Sequence, residues 1–139
     1  MGGTGNLTYA TLHPEDCAAV VALGATTDLA AYCGWCVSHT NGIQPEIGQA
    51  IVRAYGGPPD KLPELYRRHS PLFNAERLTM PVFVAHGEQD ALMPVAQARA
   101  LAAKLKGRPT FTYVEITGGS HDAPLFCKEA IDWLLQQAR

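Results

Sequence analysis

No apolar run in the sequence approaches the roughly 20 residues a helix needs to cross a bilayer, and no basic stretch followed by an apolar one opens the chain. A membrane partner is therefore not expected, and the chain reads as a cytoplasmic protein. Charge is scarce as well, at 17% of residues with a formal net charge of -2, and the few Lys and Arg are scattered. Binding a polyanion requires clustered cations, so nucleic acid is not an expected partner. Internal repeats, low-complexity tracts and blocks of like charge are missing too, and nothing marks a tail or a second domain. Cysteine is limited to Cys17, Cys33, Cys36 and Cys127. A chain of 139 residues that is 47% apolar can bury a core without a disulfide framework, so reduced thiols are expected.

What is present is an alternation of short apolar runs and helical patterns. Cys17 to Leu23, Pro81 to His86 and Thr110 to Ile116 have strand character. The first two are continuously apolar, as in parallel strands covered on both faces; the third alternates and suits a place nearer an edge. Val95 to Leu105 spaces Val95, Ala98, Leu101, Ala102 and Leu105 for one face of a helix and stops at Lys106-Gly107. Phe126 to Gln137 repeats the pattern with Ile131, Leu134 and Leu135. Strand, helix, strand, helix is the order of a doubly wound α/β sheet.

The beginning of the chain differs in kind. Gly2, Gly3 and Gly5 around Thr4 lead into a short helical stretch, Asn6 to Leu12, that His13-Pro14 stops. A glycine cluster opening a helix is normally the second half of a strand-turn-helix unit. Between the first two strands, residues 27–77 form a long connection of weak periodicity: Thr27 to Val37, a helix from Pro45 to Tyr55, a break at Gly56-Gly57-Pro58-Pro59, then Leu62 to Arg68. An insertion of this length is expected to carry small helices and to act as a lid. Its aromatics Tyr32, Trp35, Tyr55, Tyr66 and Phe73 either line a pocket or pack the inserted helices on the sheet.

Two polar loops carry the chemistry. Gly87-Glu88-Gln89-Asp90 follows the second strand, and Gly118-Gly119-Ser120-His121 follows the third. Parallel strands would deliver both loops to the carboxyl edge of the sheet, where ligands bind in open α/β folds. Asp90 and His121 are 31 positions apart, room for one helix and one returning strand. A carboxylate beside an imidazole fixes one ring tautomer, stabilises the imidazolium, and leaves the other nitrogen free as a general base. Alone, a loop Asp is commonly a turn former; in two successive strand-loop units, H-G-E-x-D-x-x-x-P then G-G-S-H, the pair makes a compound pattern.

From Leu78 to Arg139 the sequence resembles the last two strands of α/β-hydrolases, particularly the prolyl-oligopeptidase-like and dienelactone-hydrolase-like branches. Met80 to Asp90 is similar to the strand and acid loop of that family, and Gly118 to His121 to its histidine loop. In the family the nucleophile occupies a G-x-S-x-G elbow between a strand and a helix. Met1-Gly2-Gly3-Thr4-Gly5 and His13-Pro14-Glu15 resemble an S-M-G-G-T-G continuation and its helix end. The resemblance thus implies a partial α/β-hydrolase fold, a single domain of about three parallel strands flanked by helices. It also implies catalytic Asp90 and His121, a nucleophile immediately before Met1, and one oxyanion-hole donor at the backbone nitrogen of Met1. Serine is the nucleophile the resemblance favours, cysteine or aspartate being the dienelactone-type and dehalogenase-type variants. Ser38, Ser70 and Ser120 do not lie at a glycine-flanked strand-to-helix turn, and Thr4 falls in the helix entry.

The implied activity is hydrolysis of an ester, amide or peptide bond in a small-molecule or peptide substrate, without a metal or other cofactor, and incomplete in this chain. The alternative is a noncatalytic α/β binding or assembly module. A second alternative is a thiol or zinc site at Cys33-Gly34-Trp35-Cys36 with His39 as a third ligand, although C-x-x-C redox pairs normally open a helix directly after a strand. If the first strand lacks a neighbour on its outer side, its apolar edge is exposed and self-association is expected.

Overall fold

The computed structural model describes residues 1–39 and 41–137; position 40, inside the expected 27–77 insertion, and positions 138–139 lie outside them. Three strands, β1 (Val20–Leu23), β2 (Val82–Gly87) and β3 (Phe111–Ile116), form one all-parallel sheet in the order β1-β2-β3. The helices are α1 (Gly2–Leu12), α2 (Leu29–Ser38), α3 (Gln44–Tyr55), α4 (Pro63–Arg68), α5 (Ala96–Leu105) and α6 (Lys128–Gln137), with short 3-10 turns between them. Register runs Val20↔Val82↔Phe111, so the strands start level at the amino edge; at the carboxyl edge β1 ends at Leu23↔Ala85 and β2 and β3 continue to Gly87↔Ile116.

The side-chain alternation of a strand sorts this sheet into two faces. Val20, Ala22, Val82 and Val84, with Phe111 and Tyr113, pack against Leu7 and Ala10 of α1 and Ala98, Leu101 and Leu105 of α5. Val21, Leu23, Phe83, Ala85 and Val114 turn the other way, toward Ala130 and Trp133 of α6. Every residue of β2 is buried, which explains its unbroken apolar run. β3 is half-buried along its whole length, as its more alternating sequence requires at an edge.

Element boundaries moved for local reasons. β1 begins at Val20 rather than Cys17 because a 3-10 turn over Pro14–Asp16 is closed by Cys17 N–H donating to Pro14 O, and pairing starts where Val20 N–H reaches Pro81 O. α1 starts at Gly2, ahead of the expected Asn6. Its first turn lies directly on β1: a Cβ on Gly3 would come within 2.5 Å of Leu23 O, so absence of a side chain admits the helix there. Buried Thr4 ties that turn to the loop after β1, its Oγ1 accepting from Thr26 N–H at 3.0 Å. The outer edge of β1 is thereby partly covered, since Asn6 Nδ2 also donates to Val21 O.

The connection between β1 and β2 holds α2, α3 and α4, which build their own cluster from Leu29, Tyr32, Cys33, Cys36, Ile51 and Tyr66 together with Met93 from the loop after β2. Asp28 caps α2 by accepting from Ala31 N–H. Of the five aromatics, Tyr32 and Tyr66 are core residues, and Tyr55 alone lines the apolar pocket of about 660 Å³ between α1 and α3. In α6 the buried contacts come from Ala130 and Trp133, whereas Ile131, Leu134 and Leu135 are exposed. They border a groove of about 180 Å³ with Val21 and Leu23, because a sheet of three strands is too narrow to cover that side of the helix.

An ion pair ties α5 to the open edge of the sheet: Arg99 donates through Nε and Nη2 to Glu115 at 2.9 and 2.6 Å, and Tyr113 donates to the same carboxylate at 2.7 Å. The Arg99 hydrogen bond, then that of Tyr113, holds Glu115 down to about 2. A folded-state value below the unfolded one means stability present above the unfolded value and lost as pH falls through the folded one. Acid titration of thermal stability is therefore expected to show a loss between about pH 4.5 and 2 that Glu115→Gln removes, modest because Arg99 is half-exposed. Identical acid profiles for both proteins would contradict this.

Candidate active site

The ends of all three strands converge on one imidazole. After β2 the chain turns at Glu88 and Gln89 and delivers Asp90, whose side chain is wholly buried. Its Oδ1 accepts from the backbone N–H groups of Leu92 and Met93, both at 2.8 Å, an Asx-type closure of the acid loop. Its Oδ2 lies 2.7 Å from Nδ1 of His121, which sits beyond β3 with its side chain 30% exposed. The two residues that the sequence placed on separate loops thus meet at hydrogen-bonding distance. Since the carboxylate only accepts, Nδ1 of His121 carries the hydrogen and Nε2 is left with its lone pair.

The loops are bound to each other as well as to the sheet. Glu88 N–H donates to Ile116 O at 3.0 Å, Gln89 N–H to Gly119 O at 2.8 Å, and Gly118 N–H to the Glu88 carboxylate at 2.9 Å. Gly24, just past β1 at φ +54, faces the ring: a Cβ there would stand 3.2 Å from His121 Cε1. The Gly24–Asp28 loop is fixed in turn by Gln97 of α5, whose Oε1 accepts from Thr27 N–H at 3.0 Å and Asp28 N–H at 2.8 Å. Tyr32 hydroxyl donates to Leu92 O at 3.0 Å and Gln44 Nε2 to Ala91 O at 3.0 Å, so the inserted helices brace the acid loop from the other side.

Met1 caps α1 and its side chain is exposed. The first turn it opens lies against Leu23 and Ala25, the neighbours of Gly24, and so belongs to the same rim as His121. The serines sit elsewhere in role. Ser70 is buried, donating to Tyr66 O and accepting from Leu29 N–H, and Ser38 donates to Trp35 O. Ser120 is exposed beside His121.

Sequence reasoning missed His86. It is fully buried at the end of β2, with Nε2 2.8 Å from Met93 O and 3.3 Å from Asp90 Oδ2. The only sign in the sequence is a histidine closing an otherwise apolar strand four residues before the acid.

Cys33 and Cys36 are free thiols one turn apart in the middle of α2, packed in the core of the inserted helices. Burial pushes both thiols up, away from the thiolate that redox or metal chemistry needs. Neither opens the helix, and His39 turns its Nδ1 to Trp35 O. Among the described residues the three side chains whose ligand atoms come within 4.8 Å of one another are His13, Glu15 and Asp16, all exposed. No described helix is long and apolar enough to cross a membrane.

Comparison with known proteins identifies the family and the fold. The model of the prolyl oligopeptidase family matches residues 2–129. The chain belongs to that family. Over 64 residues it is 36% identical to Esterase LipC of Mycobacterium tuberculosis (strain ATCC 25618 / H37Rv), a match covering 45% of this chain and 16% of that protein. It superposes on a puromycin-hydrolyzing peptidase of the same species with a TM-score of 0.67 at 25% identity, over 86% of this chain and 17% of the other. A monoacylglycerol lipase of Paleococcus ferrophilus shares the fold at a TM-score of 0.65 and 20% identity, over 97% of this chain and 65% of that one. The three parallel strands and their helices are therefore part of an α/β-hydrolase fold, and the chain spans about a sixth of the length of the curated relative.

Proposed function

We propose that this chain supplies the acid and base of a serine-type α/β-hydrolase acting on ester, amide or peptide bonds. The observation that carries the reading is the 2.7 Å contact between Asp90 Oδ2 and His121 Nδ1 at the carboxyl edge of a parallel sheet. The nucleophile in this reading is a serine directly ahead of Met1 in a longer polypeptide, as the S-M-G-G-T-G resemblance implies. His121 Nε2 takes the serine proton as Oγ forms a bond to the substrate carbonyl carbon. The imidazolium then returns that proton to the leaving alcohol or amine as its bond to carbon breaks, and water repeats the cycle on the acyl-enzyme. Asp90 holds the tautomer and stabilises the imidazolium; the backbone N–H of Met1, at the start of α1, donates to the oxyanion. The substrate is a small molecule or peptide that reaches the rim from the side of the inserted helices.

The test is labelling with a fluorophosphonate, which reports an activated serine. The 139-residue chain is expected to stay unlabelled, a form extended upstream through an elbow serine to label, and His121→Ala in that form to lose labelling by 10³-fold or more, on the order of removing a triad member. Strong labelling of the 139-residue chain, or an extended form indifferent to His121→Ala, refutes the reading.

A further inference from the structure

His86 has no part in the scheme above, yet among the described residues it is the one other ionisable side chain within 4 Å of the Asp90 carboxylate. Its Nε2 is 2.8 Å from Met93 O, and a carbonyl can only accept, so Nε2 carries the ring hydrogen. The same nitrogen stands 3.3 Å from Asp90 Oδ2, in contact with the carboxylate while its hydrogen is directed at Met93 O. Nδ1 is buried with no partner among the described residues. An unpaired buried ring nitrogen costs about 1–3 kcal/mol, and a phenylalanine or leucine would close the strand without that cost. The nearest carboxylate across the register, Glu115 of β3, is turned to Arg99 and Tyr113. Asp90 and the Met93 carbonyl are thus the polar groups His86 engages.

Resting on the dyad reading, we infer that His86 is a positioning residue for it: a second imidazole on the Asp90 carboxylate that fixes the oxygen facing His121. The carboxylate has two orientations in its plane and one rotation about its bond to Cβ. The Leu92 and Met93 amides set Oδ1, but both amides lie on the same short loop, and a loop can rock with its ligand. His86 projects from the carboxyl end of β2, the central strand, where it is paired with Glu115 of β3; it pins the loop at Met93 O and stands against the second oxygen. The hydrogen on Nε2 holds the loop at Met93 O while the ring stands against the carboxylate, and the unsatisfied Nδ1 is the cost of using a histidine for that task.

The experiment needs no catalysis. In the 139-residue chain, ¹⁵N shifts of the imidazoles report which nitrogen of each ring is protonated. Wild type is expected to hold neutral His121 as the Nδ1–H tautomer and His86 as Nε2–H. His86→Gln places an amide N–H where Nε2 was and is expected to keep the His121 tautomer. His86→Asn places it where Nδ1 was, and His86→Phe removes it; both are expected to lower the His121 Nδ1–H to Nε2–H ratio by about tenfold, the size of the one lost hydrogen bond that holds the acid loop at Met93 O. The separate behaviour of Gln and Asn keeps the test decisive even if Phe fails to fold. A wild type in which His121 is not the Nδ1–H tautomer defeats the dyad itself. A correct wild type with all folded variants unchanged overturns the role of His86 and leaves the dyad standing.

Discussion

Asp90→Asn, in a form of the protein extended through the elbow serine, is expected to lower kcat/KM by about 10⁴, the cost of presenting the wrong imidazole tautomer in Ser-His-Asp enzymes. The size follows from the three donors to the carboxylate. Leu92 and Met93 N–H groups point at Oδ1 and His121 Nδ1 at Oδ2, with His86 Nε2 3.3 Å from that second oxygen. An asparagine that keeps its oxygen toward the two amides aims its NH₂ at the protonated Nδ1 of His121. His121 relieves the conflict by taking its proton on Nε2 and accepting at Nδ1, which removes the lone pair that would receive the serine proton. The flipped amide restores the acceptor for His121 but opposes two backbone N–H donors, each unpaired donor costing about 1–3 kcal/mol. Either way the protein pays, so a lower melting temperature should accompany the kinetic loss. Activity within tenfold of wild type, with the melting temperature unchanged, would remove Asp90 from the mechanism.

The legible part of this site was its local part. Asp90 and His121 each follow a glycine within three positions after an apolar run, and the continuously apolar character of the first two runs suits parallel strands, which would deliver both loops to one edge. The register and the order β1-β2-β3 are consistent with that reasoning, and so is the buried β2. What escaped is set by partners distant in sequence. Gln97 looks like one polar residue on an amphipathic helix, yet it holds a loop 70 positions away at Thr27. The glycines of α1 look like flexible punctuation, whereas at Gly3 the requirement is a close approach to β1. The Ile131, Leu134 and Leu135 pattern of α6 reads as an inward face because periodicity records which side is apolar, not what covers it. His86 escaped for the same reason: its position at a strand end is visible, but its acceptor depends on how the following loop folds back.

Gly87→Ala tests the convergence of the loops without touching a polar group. A Cβ at Gly87 would stand 2.2 Å from Ser120 O and 2.4 Å from Gly119 O, where real contacts of this kind begin near 3.0 Å. Gly87 is not among the residues at positive φ, so alanine meets no backbone penalty and the whole effect is steric. Both obstacles are backbone atoms, and no rotamer change can clear them. The histidine loop must retreat by about the difference, most of an ångström, which stretches the 2.8 Å bond from Gln89 N–H to Gly119 O and the 2.7 Å contact of His121 with Asp90. Overpacking of this kind costs about 1–3 kcal/mol, and a misplacement near 1 Å in a catalytic group about 10²-fold in rate. Urea unfolding of the 139-residue chain measures the first; fluorophosphonate labelling of the extended form measures the second. Gly34→Ala is the matching control: Gly34 lies within α2 with nothing inside 4 Å of the added carbon. There alanine is expected to stabilise by about 0.5–1 kcal/mol, because glycine in a helix loses more chain entropy on folding. A Gly87→Ala protein as stable as wild type, with the His121 imidazole still in its Nδ1–H tautomer, would mean that the two loops are not pressed together as described.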